Sequence, residues 1–276
     1  MTQIMSPTVP HETPSDTQRS KPTTSRTRRS TVLWPLGTVI VALLVWQAVS
    51  ASGVANPIIF PAPTAVGVAI IDMLGQGYFW AATWSTLQVT FLGFLLGVGG
   101  AWVLGTMIAM FRTLRLSLYP LAIAFQNMPR IALAPLFLTW FGFGIEGKFV
   151  LSATLCFFPV LLSVIVGTDE VDESARRLLR SYGASRWQQY FRLTLPSSLP
   201  IVFAGIKTAI TLALIGAIVA EFVGGSDGMG VLIKDFNFQL EIAAGFAVIL
   251  LLAVIGLLLY GATEILERKL VTWREH

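Results

Sequence analysis

Long apolar runs separated by short polar stretches make up the chain from about residue 31 onward. Runs of about 20 apolar residues are long enough to cross the hydrocarbon of a bilayer as helices. Six are read here, over roughly 31–52, 80–110, 117–140, 148–168, 197–223 and 241–264. Pro120, Pro129, Pro135 and Pro159 interrupt the third and fourth, because a proline removes a backbone donor and crowds the preceding turn. The second carries Gly93, Gly97, Ala101 and Gly105 at a spacing of four, a ridge of small residues that lets another helix approach closely. The expected fold class is therefore all-α, a polytopic membrane helical bundle of about six transmembrane helices. Residues 1–30 break from this pattern. They are polar, rich in Pro, Ser and Thr, and carry five basic residues. That composition predicts a disordered tail ahead of a single transmembrane domain over 31–276, and no cleavable signal peptide.

One polar stretch between the fourth and fifth spans has too much internal order for a plain connection. Over Asp169–Leu195 it reads helix, turn, helix. Asp169, Glu170, Asp172 and Glu173 crowd the first turn, and Arg176, Arg177 and Arg180 follow, the polarity that the helix dipole favours. Glu173 and Arg177 form an i,i+4 pair. Val171, Ala175, Leu178, Leu179 and Tyr182 share one face. Gly183 has the position of a C′ residue, and Ser185 with Gln188 has capping-box spacing for a second helix. Trp187, Tyr190, Phe191 and Thr194 share a face of that helix, which Pro196 is expected to end.

Composition and charge sharpen the picture. The chain is 54% hydrophobic and 12% charged, more apolar surface than a soluble domain can hide. With six spans, fifteen of the nineteen lysines and arginines fall on one side. The positive-inside rule makes that side cytoplasmic, and it holds both termini and the hairpin. Only Lys148 and Lys234 fall on the other side, with 56–78, 141–147 and 224–240 as outward loops. Trp34, Trp80, Trp84 and Trp273 lie near span ends, as interfacial anchors do. The excess of basic residues thus has a topological origin and implies no nucleic acid. Cys156 lies in an apolar span and reads as packing. His11 and His276 lie in the tails, leaving no metal cluster. Gly142–Phe149 fits seven positions of a phosphate-binding loop, but Phe149 stands where Ser or Thr must hold magnesium. No nucleotide, cofactor or catalytic site is expected, and the chain is not read as an enzyme.

The hairpin is where a family likeness appears. Gly183-Ala184-Ser185, followed by Leu193-x-Leu195-Pro196, resembles the cytoplasmic loop of ABC importer permeases, E-A-A-x3-G-x9-I-x-L-P. Arg177, Leu178 and Leu179 stand where its E-A-A would, with Glu173 one turn upstream. Gln126-Asn127-Met128-Pro129-Arg130, Trp140-Phe141-Gly142-Phe143-Gly144 and Ala220-Glu221-Phe222-Val223-Gly224 resemble the nitrate, sulfonate and taurine branch of that family. The resemblance covers roughly residues 60–273. It implies a coupling hairpin (Glu173, Arg177, Gly183, Ala184, Ser185, Leu195, Pro196) that docks on separate ABC ATPase subunits. It also implies an extracytoplasmic solute-binding protein, a second permease copy in a homodimer, and an inner-membrane location.

Candidate pathway residues are the polar groups at membrane depth, which are costly and tend to face a cavity or a partner. They are Gln126, Asn127, Arg130, Lys207 and Glu221. Arg130 otherwise satisfies carbonyls freed by the prolines. Lys207 otherwise snorkels to the interface, and Glu221 otherwise sits solvated at the outer end of its helix. Two intramembrane cations against one edge acid favour a small anionic solute, in line with the branch. A pyrimidine or flavin-type vitamin precursor is the alternative substrate. A self-powered secondary transporter or channel is the alternative mechanism, and such proteins usually carry coupling acids or broken helices at mid-membrane.

Overall fold

The computed structural model describes residues 27–52, 56 and 59–272. Its helices are α1 (Thr27–Ala51), α2 (Pro63–Leu74), α3 (Gly77–Met110), α4 (Arg112–Gln126), α5 (Ala134–Phe141), α6 (Ile145–Asp169), α7 (Glu173–Ser181), α8 (Arg186–Gln189), α9 (Leu195–Gly224), α10 (Met229–Phe238) and α11 (Ile242–Leu270). Most of the expected tail lies outside the described residues, and so does Trp273, one of the expected interfacial anchors. From Thr27 the chain is already helical.

Among the described residues, four helices are long and apolar enough to cross a membrane: α3, α6, the continuous helix Arg186–Gly224, and α11. The expected third span is broken. α4 and the segment Arg130–Phe141 meet at 82°, and the second segment begins with a 3-10 turn, Arg130–Leu133. Pro129 and Pro135 account for the break, since neither can donate into a continuing helix. Counting the broken pair as one span gives five among the described residues. The first expected span corresponds to α1, whose described apolar stretch is Gly37–Ala51. The two longest loops expected to face outward are not plain loops, because they contain α2 and α10.

α6 lies at the centre of the unit formed by residues 47–276, packed along both α3 and α9. The glycine ridge of α3 is buried against it. A Cβ at Gly97 would lie 2.6 Å from the Ala153 carbonyl oxygen, and one at Gly105 would lie 2.8 Å from Val164. On the other side of α6, a Cβ at Gly216 of α9 would lie 2.7 Å from the Ser152 Cα. Such spacing brings backbones together and gains dispersion contacts where no hydrophobic drive exists between helices in lipid. Forcing a side chain into it costs about 1–3 kcal/mol or more. Ser152 Oγ donates to the Ala213 carbonyl at 2.8 Å, and Cys156 is buried with its thiol toward the Gly93 carbonyl. Cys156 is thus part of the packing.

Pro196 does not end the second hairpin helix. α8 runs through a π-helical turn, Tyr190–Thr194, straight into α9, making one helix of 39 residues. Thr194 and Leu195 keep helical dihedrals. The Leu195 N–H donates to the Tyr190 carbonyl, five residues back. A π-turn shifts the hydrogen-bond register by one residue, so the proline's missing donor and its ring are absorbed without a break.

Candidate functional site

The hairpin is built from local signals and fastened to the bundle by polar contacts. Asp172 is the N-cap of α7 and accepts from the Ser174 N–H at 2.9 Å. Asp169 belongs to the end of α6 and forms a two-pronged ion pair with Arg115 at the start of α4. Glu173 meets Arg177 at 3.8 Å and also Arg176 at 3.6 Å. Gly183 has φ +74°, a region costly for residues with a Cβ. Its N–H donates to the Arg180 carbonyl, and the Ala184 N–H donates to that of Leu179, at 2.9 and 3.0 Å. These are the paired bonds of a Schellman ending. Ser185 and Gln188 form a complete capping box. Arg176 donates to the Thr168 carbonyl at 3.1 Å, and Tyr190 shares a hydrogen bond with Thr106 of α3 at 2.7 Å.

The two shared faces of the hairpin helices are divided between buried and exposed residues. Val171, Tyr190 and Thr194 are buried. Leu178 is 57% exposed, Tyr182 81%, Trp187 58% and Phe191 57%, and the Trp187 and Phe191 rings stack at 5.9 Å. Four large apolar side chains thus lie uncovered on a rigidly capped hairpin, and exposed apolar patches mark contacts with a protein partner or with a membrane.

The polar residues at membrane depth have partners that the sequence does not reveal. Arg130 donates to the carbonyls of Thr154 and Leu155, both at 3.2 Å, and to that of Gln126 at 3.4 Å; its guanidinium lies 5.1 Å from the Phe158 ring. Pro159 cannot donate to the Leu155 carbonyl, so Arg130 satisfies a group that the proline leaves free. Lys207 forms an ion pair with Glu267 of α11, beside Tyr260. α11 extends to Leu270, past the expected end of the sixth span, and this brings Glu267 into reach. Gln126 and Asn127 are exposed at the break of the third span.

Glu221 is not a solvated edge charge. It is 0% exposed, and its Oε2 accepts from Thr86 Oγ1 and the Gly230 N–H, both at 2.9 Å. Thr86 accepts in turn from the Met229 N–H at 2.8 Å. Alongside, the buried Lys148 of the phosphate-loop-like stretch pairs with Asp227, whose Oδ2 accepts from Ser85 Oγ at 2.6 Å. These groups latch the segment 226–230 onto α3, α6 and α9 at the end of the bundle away from the hairpin. No group of metal-ligating side chains occurs among the described residues.

Residues 97–272 match the family described as a binding-protein-dependent transport system inner membrane component. The chain is 35% identical to the riboflavin transport system permease protein RibX of Chloroflexus aurantiacus, over 87% of this chain and 91% of that one. It is 32% identical to the formylaminopyrimidine transport permease protein ThiX of Halalkalibacterium halodurans, over 86% and 94%. It is 30% identical to the putative aliphatic sulfonates transport permease protein SsuC of Bacillus subtilis, over 87% and 88%. Among solved structures, an inward-facing conformation of the MetNI methionine ABC transporter has the same fold, with a TM-score of 0.63 and 17% identity over 69% of this chain and 96% of that one.

The Lys148–Asp227 pair makes a pH prediction. Lys148, followed by the Ser85 hydroxyl, holds the Asp227 carboxyl below its ordinary range. A depressed folded value contributes stability that is present above the unfolded value, about 3.9, and is lost as pH falls through the folded value. Thermal unfolding of the purified chain should therefore show an acid limb below about pH 4 that is flattened in Asp227→Asn. That variant should also be less stable at neutral pH, because it leaves Lys148 buried without a counter-charge. A variant with wild-type stability at neutral pH and an unchanged acid limb would rule the pair out as a fastening.

Proposed function

The chain belongs to the family of binding-protein-dependent transport system inner membrane components, the permeases of ABC importers, and on that premise we propose that its hairpin couples separate ATPase subunits to a solute pathway through the membrane. The observation that carries this reading is the exposure of Leu178, Tyr182, Trp187 and Phe191 on a hairpin whose backbone is capped at every turn. An ATPase groove is the proposed cover for that surface. The continuous helix Arg186–Gly224 gives hairpin movement a route to the latch around Glu221 at the opposite end.

The break at 126–130 is the proposed pathway element. Discontinuous helices at membrane depth commonly form solute sites, and Gln126 and Asn127 are exposed there beside Phe125 and Met128. A second permease copy is proposed to face this segment and complete the pathway, with a solute-binding protein delivering substrate to the outer side. The hairpin and both termini are proposed to face the cytoplasm, a reading that the charge asymmetry supports. Impermeant thiol labelling of Ser181→Cys and Ser226→Cys, each in a Cys156→Ala background, should proceed from opposite sides; labelling of both from one side would overturn that orientation.

The substrate is proposed to be a small organic solute of the kinds named for the relatives, a sulfonate or a pyrimidine or flavin heterocycle. Arg130 and Lys207 give no ground for preferring the anion, since one is engaged by carbonyls and the other by Glu267. The self-powered alternative keeps only the broken helix at 126–130, since the acids at depth are engaged, Glu221 by Thr86 and Gly230 and Glu267 by Lys207.

Gly183→Val tests the coupling. A β-branched residue at φ +74° is strained, so the two hairpin helices would meet at a different angle. Uptake and stimulated ATP hydrolysis should fall at least about tenfold, a coupling loss on the order of 1.4 kcal/mol, with normal membrane expression. Unchanged uptake would remove the hairpin from the coupling role.

A further inference from the structure

At the hairpin end of the bundle lies a cleft of ≈ 700 Å³ between the end of α3, the start of α4, the end of α6 and the hairpin. Five arginines line it, Arg112, Arg115, Arg176, Arg180 and Arg186, against a single carboxylate, Asp169. Arg115 is held by Asp169, and Arg176 by Glu173 and the Thr168 carbonyl. Arg112, Arg180 and Arg186 have no side-chain hydrogen-bond or ion-pair partner among the described residues. Converging guanidinium groups without counter-charges repel one another, and they match the planar, two-pronged recognition of phosphate oxygens.

The surroundings favour a particular source of phosphate. The cleft opens where apolar α3 gives way to α4, and Met107, Phe111 and Leu116 nearby are exposed. A site with a basic head and an apolar flank at the membrane boundary suits a lipid whose phosphodiester enters the cleft while its acyl chains stay in the hydrocarbon. Basic pockets between membrane helices bind anionic headgroups in this way. A soluble phosphate would have no use for the apolar flank.

We propose that this cleft is a binding site for the headgroup of an anionic phospholipid, which bridges α4 to the hairpin. The bound lipid adds a fastening to those made by Arg115–Asp169 and Tyr190–Thr106, so it rigidifies the hairpin against the bundle.

The test uses the full chain in detergent micelles, titrated with phosphatidylglycerol or with phosphatidylcholine, and followed by thermal unfolding and by counting bound lipid in native mass spectrometry. Phosphatidylglycerol should raise the unfolding temperature and be retained, and phosphatidylcholine should do neither. The triple variant Arg112→Gln, Arg180→Gln, Arg186→Gln should bind phosphatidylglycerol at least about tenfold more weakly, with an unchanged unfolding temperature in phosphatidylcholine. If the triple variant fails to fold, Arg112→Gln and Arg186→Gln singly should each show a smaller loss in the same assay. Equal retention of phosphatidylglycerol by variant and wild type overturns the proposal. Equal protection by millimolar inorganic phosphate or pyrophosphate also overturns it, in favour of a free anion. Loss of ATPase co-purification with unchanged lipid retention overturns it in favour of a protein contact. Lipid retention is read without transport, so its failure stays distinct from failure of the permease reading.

Discussion

The close approach of α3, α6 and α9 is the constraint on which the rest depends. Between these helices backbones meet almost directly, at Gly97 against Ala153 and Gly216 against Ser152. In a bilayer this contact cannot rely on the hydrophobic effect, so it relies on dispersion and on the fit of small residues. With α6 gripped on both sides, the remaining elements acquire fixed places. Arg130 finds carbonyls on α6, Lys148 at the N-terminal end of α6 finds Asp227, and Asp169 at its C-terminal end finds Arg115. The hairpin is thereby fastened to the same helix as the latch at the opposite end.

The second consequence is mechanical. A 39-residue helix begins within the hairpin at Arg186 and ends at Gly224, beside the buried Glu221. Its π-turn at Tyr190–Thr194 lies at the junction between the exposed hairpin and the buried bundle, and turns of this kind often mark functional positions. A push on Trp187 and Phe191 is therefore applied to the same rod that carries the latch. The break at 126–130 lies outside this rod and supplies exposed polar groups where a solute could be held.

Much of this is legible in the sequence where the determinants are local. The glycine ridge announces a close helix contact by spacing alone. The hairpin's turn is readable because Gly183, Ser185 and Gln188 act within a few residues of one another. What fails is long-range or register-dependent. Glu221 reads as an edge charge because Thr86, its hydroxyl partner, lies 135 residues away. Lys207 reads as an intramembrane cation because hydropathy ends the last span before Glu267. Pro196 reads as a helix end because no propensity rule foresees a π-turn that absorbs a proline. α2 and α10 escape notice because short helices inside loops carry no span-length signal. The hairpin's aromatic residues share a face by periodicity, but periodicity cannot tell whether that face packs inward or waits for a partner.

Site-specific photo-cross-linking at Tyr182 asks whether an ATPase subunit covers the exposed hairpin surface. A photoreactive amino acid replaces Tyr182, the most exposed of the four hairpin residues, in cells where the chain supports solute uptake. A covalent adduct between this chain and an ABC ATPase should form, with no such adduct from the same probe at Trp80 near the opposite end. An uptake-competent chain that yields no ATPase adduct from Tyr182, or yields it equally from Trp80, would show that the hairpin surface is not the ATPase contact.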